Sequence, residues 1–68
     1  MKFTPTQWRV IVAAHLADDA LSANIDSPSV KTKVIGHLTA LGLLSARNVE
    51  GQIQLTDAGQ EAFWHKAH

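Results

Sequence analysis

The chain has no cysteine, so neither a disulfide nor a thiolate metal site can hold it together. It has no net charge: six Lys and Arg balance six Asp and Glu, with four His besides. Duplex-binding domains are often strongly basic, because affinity comes largely from neutralising phosphates; here any such role depends on segregated charge. No apolar run approaches the roughly 20 residues that cross a bilayer, and Met1-Lys2 leads into a helix cap rather than a signal-peptide core. No membrane association is expected, and the chain reads as cytosolic. There is no internal repeat, low-complexity stretch or linker, so residues 1–68 form one domain. What is present is an apolar fraction of 46%, that of an ordinary globular protein. A chain of about 60 residues buries only about 60% of its unfolded surface, so packing, or a partner subunit, must supply the stability.

Helix-forming signals are plain in the first part. Phe3-Thr4-Pro5-Thr6-Gln7-Trp8 reads as a helix start. Thr4 and Gln7 are spaced for a capping box, Pro5 stands where a missing N–H costs nothing, and Phe3 and Trp8 are spaced for a hydrophobic staple. Trp8, Ile11, Val12, His15 and Leu16 follow as one apolar stripe, which predicts a helix over 5–18. Residues 19–26 leave room for a turn of helix at most, with Leu21 and Ile25 four apart. Asp26-Ser27-Pro28 then opens a second helix carrying Val30, Val34, Ile35, Leu38 and Leu41, closed by Gly42. Gly36 inside it weakens the helix by about 1 kcal/mol relative to Ala, which suggests a close backbone approach at that point.

Beyond Gly42 the side-chain period falls from 3.6 toward 2. Residues 43–47 and 52–55 read as two strands, with Ile53 and Leu55 facing in and Gln52 and Gln54 facing out. Asn48-Val49-Glu50-Gly51 reads as the turn between them. Thr56-Asp57 opens a last helix, with Asp57 and Gln60 spaced for a second capping box and Ala58, Ala62 and Phe63 or Trp64 returning to the core.

With this order in hand, SPSVKTKVIGHLTALGLLSA followed by GQIQLTDAGQEAF resembles the recognition-helix-and-wing half of winged helix-turn-helix proteins, MarR-like regulators of bacterial or phage type. The matching residues are Ser27-Pro28, Leu38 to Leu44, and Leu55-Thr56-Asp57-Ala58-Gly59. The resemblance spans about 5–64. It implies an α+β fold, a small winged helix with a three-helix core and a two-stranded β-hairpin wing. It also implies a transcriptional regulator that binds duplex DNA through the helix 27–42 and the 43–55 hairpin. Two features depart from the family pattern: the second helix is shortened, and the wing 47–51 carries one basic and one acidic residue.

On that reading the candidate DNA-binding residues are Ser29, Lys31, Thr32, Lys33, His37 and Arg47. Lysines meet phosphates as point charges, and hydroxyls near a helix N-terminus reach phosphates or base edges. Arg47 at the wing base suits a minor groove or a phosphate. The competing reading makes the same groups an ordinary solvated face and the protein a module for protein–protein contact without nucleic acid. Trp8 and Trp64 are expected to pack the terminal helices together; exposure of Trp64 or Phe63 would mark a homodimer or protein-partner surface.

His65 and His68 stand three apart at the C-terminus, but two imidazoles without a third ligand make a poor metal site, and no metal or other cofactor is expected. His15 on the apolar stripe is expected as a packed, hydrogen-bonded core residue. No phosphate loop and no Ser/His/Asp spacing suggests catalysis, so no enzyme activity is expected.

Overall fold

The computed structural model describes residues 2–67. Three α-helices form it: α1 (Pro5–Ala17), α2 (Pro28–Ala40) and α3 (Asp57–Ala67), with a 3-10 turn at Ala20–Ser22. The first start signal works as its residues dictate. The Thr4 N–H donates to Gln7 Oε1 at 3.0 Å and the Gln7 N–H donates back to Thr4 Oγ1 at 3.1 Å, satisfying two donors that a helix start leaves without partners. Phe3 stacks on Trp8 at 6.3 Å. α1 ends where Asp18 turns left-handed, at φ 56°. Ser27 caps α2, accepting from the Val30 N–H at 3.4 Å, and Gly42, at φ 80°, turns the chain out of the helix.

The expected α+β winged helix is not what forms: among the described residues there is no β-strand, and the molecule is helical. Residues 43–56 fold back on themselves, yet one isolated antiparallel bridge, Leu44 to Leu55, is all the β-structure they make. The physical reason lies in where their amides go. Ser45 N–H reaches the Gln54 carbonyl at 2.8 Å and Thr56 N–H the Leu43 carbonyl at 3.1 Å, as a ladder would require. The Gln54 N–H, however, donates to Ser45 Oγ at 3.1 Å, the Gln52 and Glu50 N–H groups to Asn48 Oδ1 at 2.9 and 3.0 Å, and the Ile53 N–H to Asp19 Oδ1 at 3.3 Å. Short polar side chains therefore take donors that a sheet needs. The expected alternation is met only at Ile53, which is buried: Gln52, Gln54 and Leu55 are all half-buried, and the adjacent Leu43 and Leu44 are both in the core.

The core joins Val10, Ile11 and Ala14 of α1, Ala20 and Ala23 at the 3-10 turn, Ile35 and Leu38 of α2, and Leu43, Leu44 and Ile53 of the folded-back segment. Along α1 this differs from the expected stripe. Val10 and Ala14 face the core, Trp8 and His15 face α3, and Leu16 is 76% exposed. The 3-10 turn, α2 and α3 all pack against α1, so its buried face is wider than a single stripe. α3 docks through Phe63, whose ring lies 5.3 Å from Trp8 and 4.0 Å from His15, with Lys66 Nζ 5.3 Å from the centre of the Trp8 ring. Phe63 thus joins the terminal helices, while Trp64 is 60% exposed. His15 sits at the surface, stacked and with its Nδ1 3.3 Å from Gln60 Oε1, rather than in the core.

The start of α3 also departs from expectation. Thr56 is its cap: Thr56 Oγ1 accepts from the Gly59 N–H at 3.0 Å and donates to the Gly42 carbonyl at 2.6 Å. Gln60 faces His15, so the Asp57–Gln60 capping box does not form. Gly59 is buried, and a Cβ there would overlap the Leu43 carbonyl oxygen, so the position takes glycine. α3 and the folded-back segment touch backbone to backbone.

Candidate nucleic-acid interface

The inward side of α2 is set by buried Ile35 and Leu38 with half-buried Val34 and Lys31. Ser29, Thr32, Lys33, Gly36, His37 and Ala40 are consequently exposed. Their spacing of three and four places Ser29, Lys33, Gly36 and Ala40 along one line at the outermost edge, with Thr32 and His37 flanking it. Four of the six sequence candidates, Ser29, Thr32, Lys33 and His37, therefore share one helix face.

Their polar groups differ in freedom. Ser29 Oγ lies 3.1 Å from Ser27 Oγ, and the Thr32 hydroxyl donates to the Pro28 carbonyl at 3.0 Å. Lys31 turns the other way: its ammonium donates to the Leu21 carbonyl at 3.0 Å, tying α2 to the 3-10 turn. Lys33, His37 and Arg47 make no side-chain hydrogen bond or ion pair among the described residues. Arg47 stands apart from α2, exposed on the folded-back segment beside a turn held by Asn48, whose tip residue Val49 is fully exposed.

Charge is segregated along the chain in a way the zero total hides. From Ser27 to Val49 there is no Asp or Glu, while Lys31, Lys33 and Arg47 lie within it. The remainder holds Lys2, Arg9 and Lys66 against all six acids, so the two parts carry +3 and −3. The signal was available from the sequence by counting charge per segment instead of over the whole chain. The cationic part also contains the N-terminus of α2, whose first turn has no acidic residue and whose dipole adds partial positive charge. Lys31's tether, ten residues back along the chain, could not have been read from spacing.

Against family models, curated proteins and solved structures, the chain finds no match. The reading of this surface rests on its own chemistry.

The other concavities offer less. A recess of about 620 Å3 opens between α1 and the 3-10 turn, lined by Trp8, Val12, Ala13 and Ala23 with Arg9, Ser22 and Asn24 at its polar side. Its hydroxyl, on Ser22, donates to the Asp19 carbonyl at 2.7 Å, and no carboxylate or imidazole lines it. Among the described residues no three His, Cys, Asp or Glu side chains gather as a metal site would require. His65 pairs with Glu61 at 3.5 Å within α3; His68 lies outside the described residues. No helix of the described residues is long and apolar enough to cross a membrane.

Proposed function

We propose that this protein binds duplex DNA as a regulator of transcription, acting in the cytoplasm and needing no cofactor. The observation that carries the reading is the stretch from Ser27 to Val49, free of acids, with Lys33, His37 and Arg47 exposed and unpaired. Lys33 and Arg47 meet phosphates; Ser29 and Thr32, near the N-terminus of α2, reach phosphates or base edges; His37 follows along the same face. Lys31 contributes charge while its ammonium braces α2 against Leu21. The helix supplies the contact surface without a β-hairpin wing.

A second reading has its own support. Trp64 at 60% and Leu16 at 76% exposure are large apolar groups at the surface of the terminal helices, which suits a homodimer or a protein partner.

Titration of the protein against a random-sequence duplex separates them. A binder that neutralises phosphates loses affinity steeply with salt, log K falling by about 0.9 per log unit of salt for each phosphate contacted. Lys33→Ala and Arg47→Ala should each lower that slope by about 0.9. Absence of binding at low salt, with tens of micromolar protein, would end the DNA reading and leave protein contact.

A further inference from the structure

Gly36 has no structural reason to be glycine. Gly42 and Gly51 take positive φ, and Gly59 makes room for the Leu43 carbonyl. Gly36 does neither: it lies within α2 at ordinary helical φ, is exposed, and a Cβ built on it would meet nothing within 4 Å. Glycine is among the poorest residues for a helix interior, so at this position the fold is weakened and gains no contact in return. The close approach that an internal glycine suggests is not made by any of the described residues.

We infer that Gly36 is where the sugar-phosphate backbone of a bound duplex comes closest to α2. This rests on the DNA reading above and gives that surface its geometry. Gly36 occupies the middle of the outermost line of the helix, one turn after Lys33 and one before Ala40, with His37 beside it. A bare Cα there lets backbone meet phosphate or deoxyribose, with Lys33 one turn earlier on the same line and Thr32 and His37 flanking it. Any side chain would stand between the helix axis and the duplex and hold the cations away from the phosphates they meet. Gly36 acts as a positioning residue: it carries no charge and makes no contact with a base edge.

The role separates stability from binding in opposite directions. Gly36→Ala should raise the melting temperature by about 5 °C, because alanine favours the helix and nothing in the fold obstructs its methyl. The same variant should bind a random duplex several-fold more weakly than the parent, and Gly36→Gln, longer but helix-compatible, at least tenfold more weakly. Both should retain most of the parent's salt dependence, unlike Lys33→Ala, since no charge is removed. Circular-dichroism melts and fluorescence anisotropy with a labelled duplex read these outcomes. If the parent binds and both Gly36 variants bind within twofold of it, the positioning role is overturned while the DNA reading stands. If the parent itself does not bind, the DNA reading falls and this inference with it.

Discussion

At the residue scale, two positions at the start of α3, its cap Thr56 and Gly59 in its first turn, show how much a small chain asks of single atoms. Thr56 Oγ1 serves two partners at once, the Gly59 N–H and the Gly42 carbonyl. Thr56→Ala should cost about 1–2 kcal/mol by loss of the cap and exposure of both groups to water, and Thr56→Ser, which keeps the hydroxyl, should recover most of it. Urea melts read the difference. Gly59→Ala should do more harm. Its methyl would overlap the Leu43 carbonyl oxygen, which cannot withdraw without moving the folded-back segment, and would stand 2.9 Å from Leu55 Cδ2. A loss of about 2 kcal/mol or more is expected, lowering the melting temperature by roughly 10 °C or more. The contrast with Gly36 is instructive: the same substitution, in helices of the same chain, is expected to raise the melting temperature at one site and lower it sharply at the other. The space around the missing side chain decides.

At the element scale, the segment 43–56 owes its position to α1's far end as much as to its own pairing. Asp19 Oδ1 accepts from both the Leu21 N–H at 3.0 Å and the Ile53 N–H at 3.3 Å, while the Ala20 N–H donates to the Ile53 carbonyl at 2.7 Å. A single carboxylate caps the 3-10 turn and fixes the returning chain against it. Asp19→Ala should destabilise the protein by about 1–3 kcal/mol and speed hydrogen exchange at the Ile53 amide most of all, whereas Asp19→Asn, which preserves an acceptor oxygen, should show a milder effect. Equal exchange at Ile53 in parent and Asp19→Ala would show that the carboxylate does not hold that strand-like stretch in place. The aromatic contacts between α1 and α3 are a second such joint, with Phe63 held between the rings of Trp8 and His15.

For the molecule as a whole, the decisive quantities are a small core and a divided charge. Among the described residues ten buried apolar side chains form that core, and Leu38 of α2 is fully buried against the returning chain, whose Leu43 N–H donates to the Leu38 carbonyl. Stability at roughly 0.05–0.15 kcal/mol per residue amounts to about 3–10 kcal/mol for 68 residues. Leu38→Ala, costing about 2–5 kcal/mol, should therefore populate the unfolded state measurably at room temperature, as near-ultraviolet circular dichroism would register. The division of charge into a part at +3 and a part at −3 makes the neutral total a poor guide to surface chemistry.

The starts and ends of the helices were determined by local sequence. Thr4, Gln7 and Pro5 fix the beginning of α1, Ser27 and Pro28 that of α2, and Gly42 its exit, because capping bonds and φ preferences act within a few residues. The outward face of α2 followed from the same local periodicity, and with it the grouping of Ser29, Thr32, Lys33 and His37. What tertiary structure alone decided was the fate of partners far apart in sequence. Asp19 meets the Ile53 amide and Lys31 the Leu21 carbonyl; Phe63 turns toward α1. The missing sheet belongs to the same class. Local sequence marked Ile53 for the core, but adjacent Leu43 and Leu44 are both buried, and whether the amides of 43–56 would meet carbonyls or the oxygens of Ser45, Asn48 and Asp19 depended on which groups the folded chain set within hydrogen-bond reach.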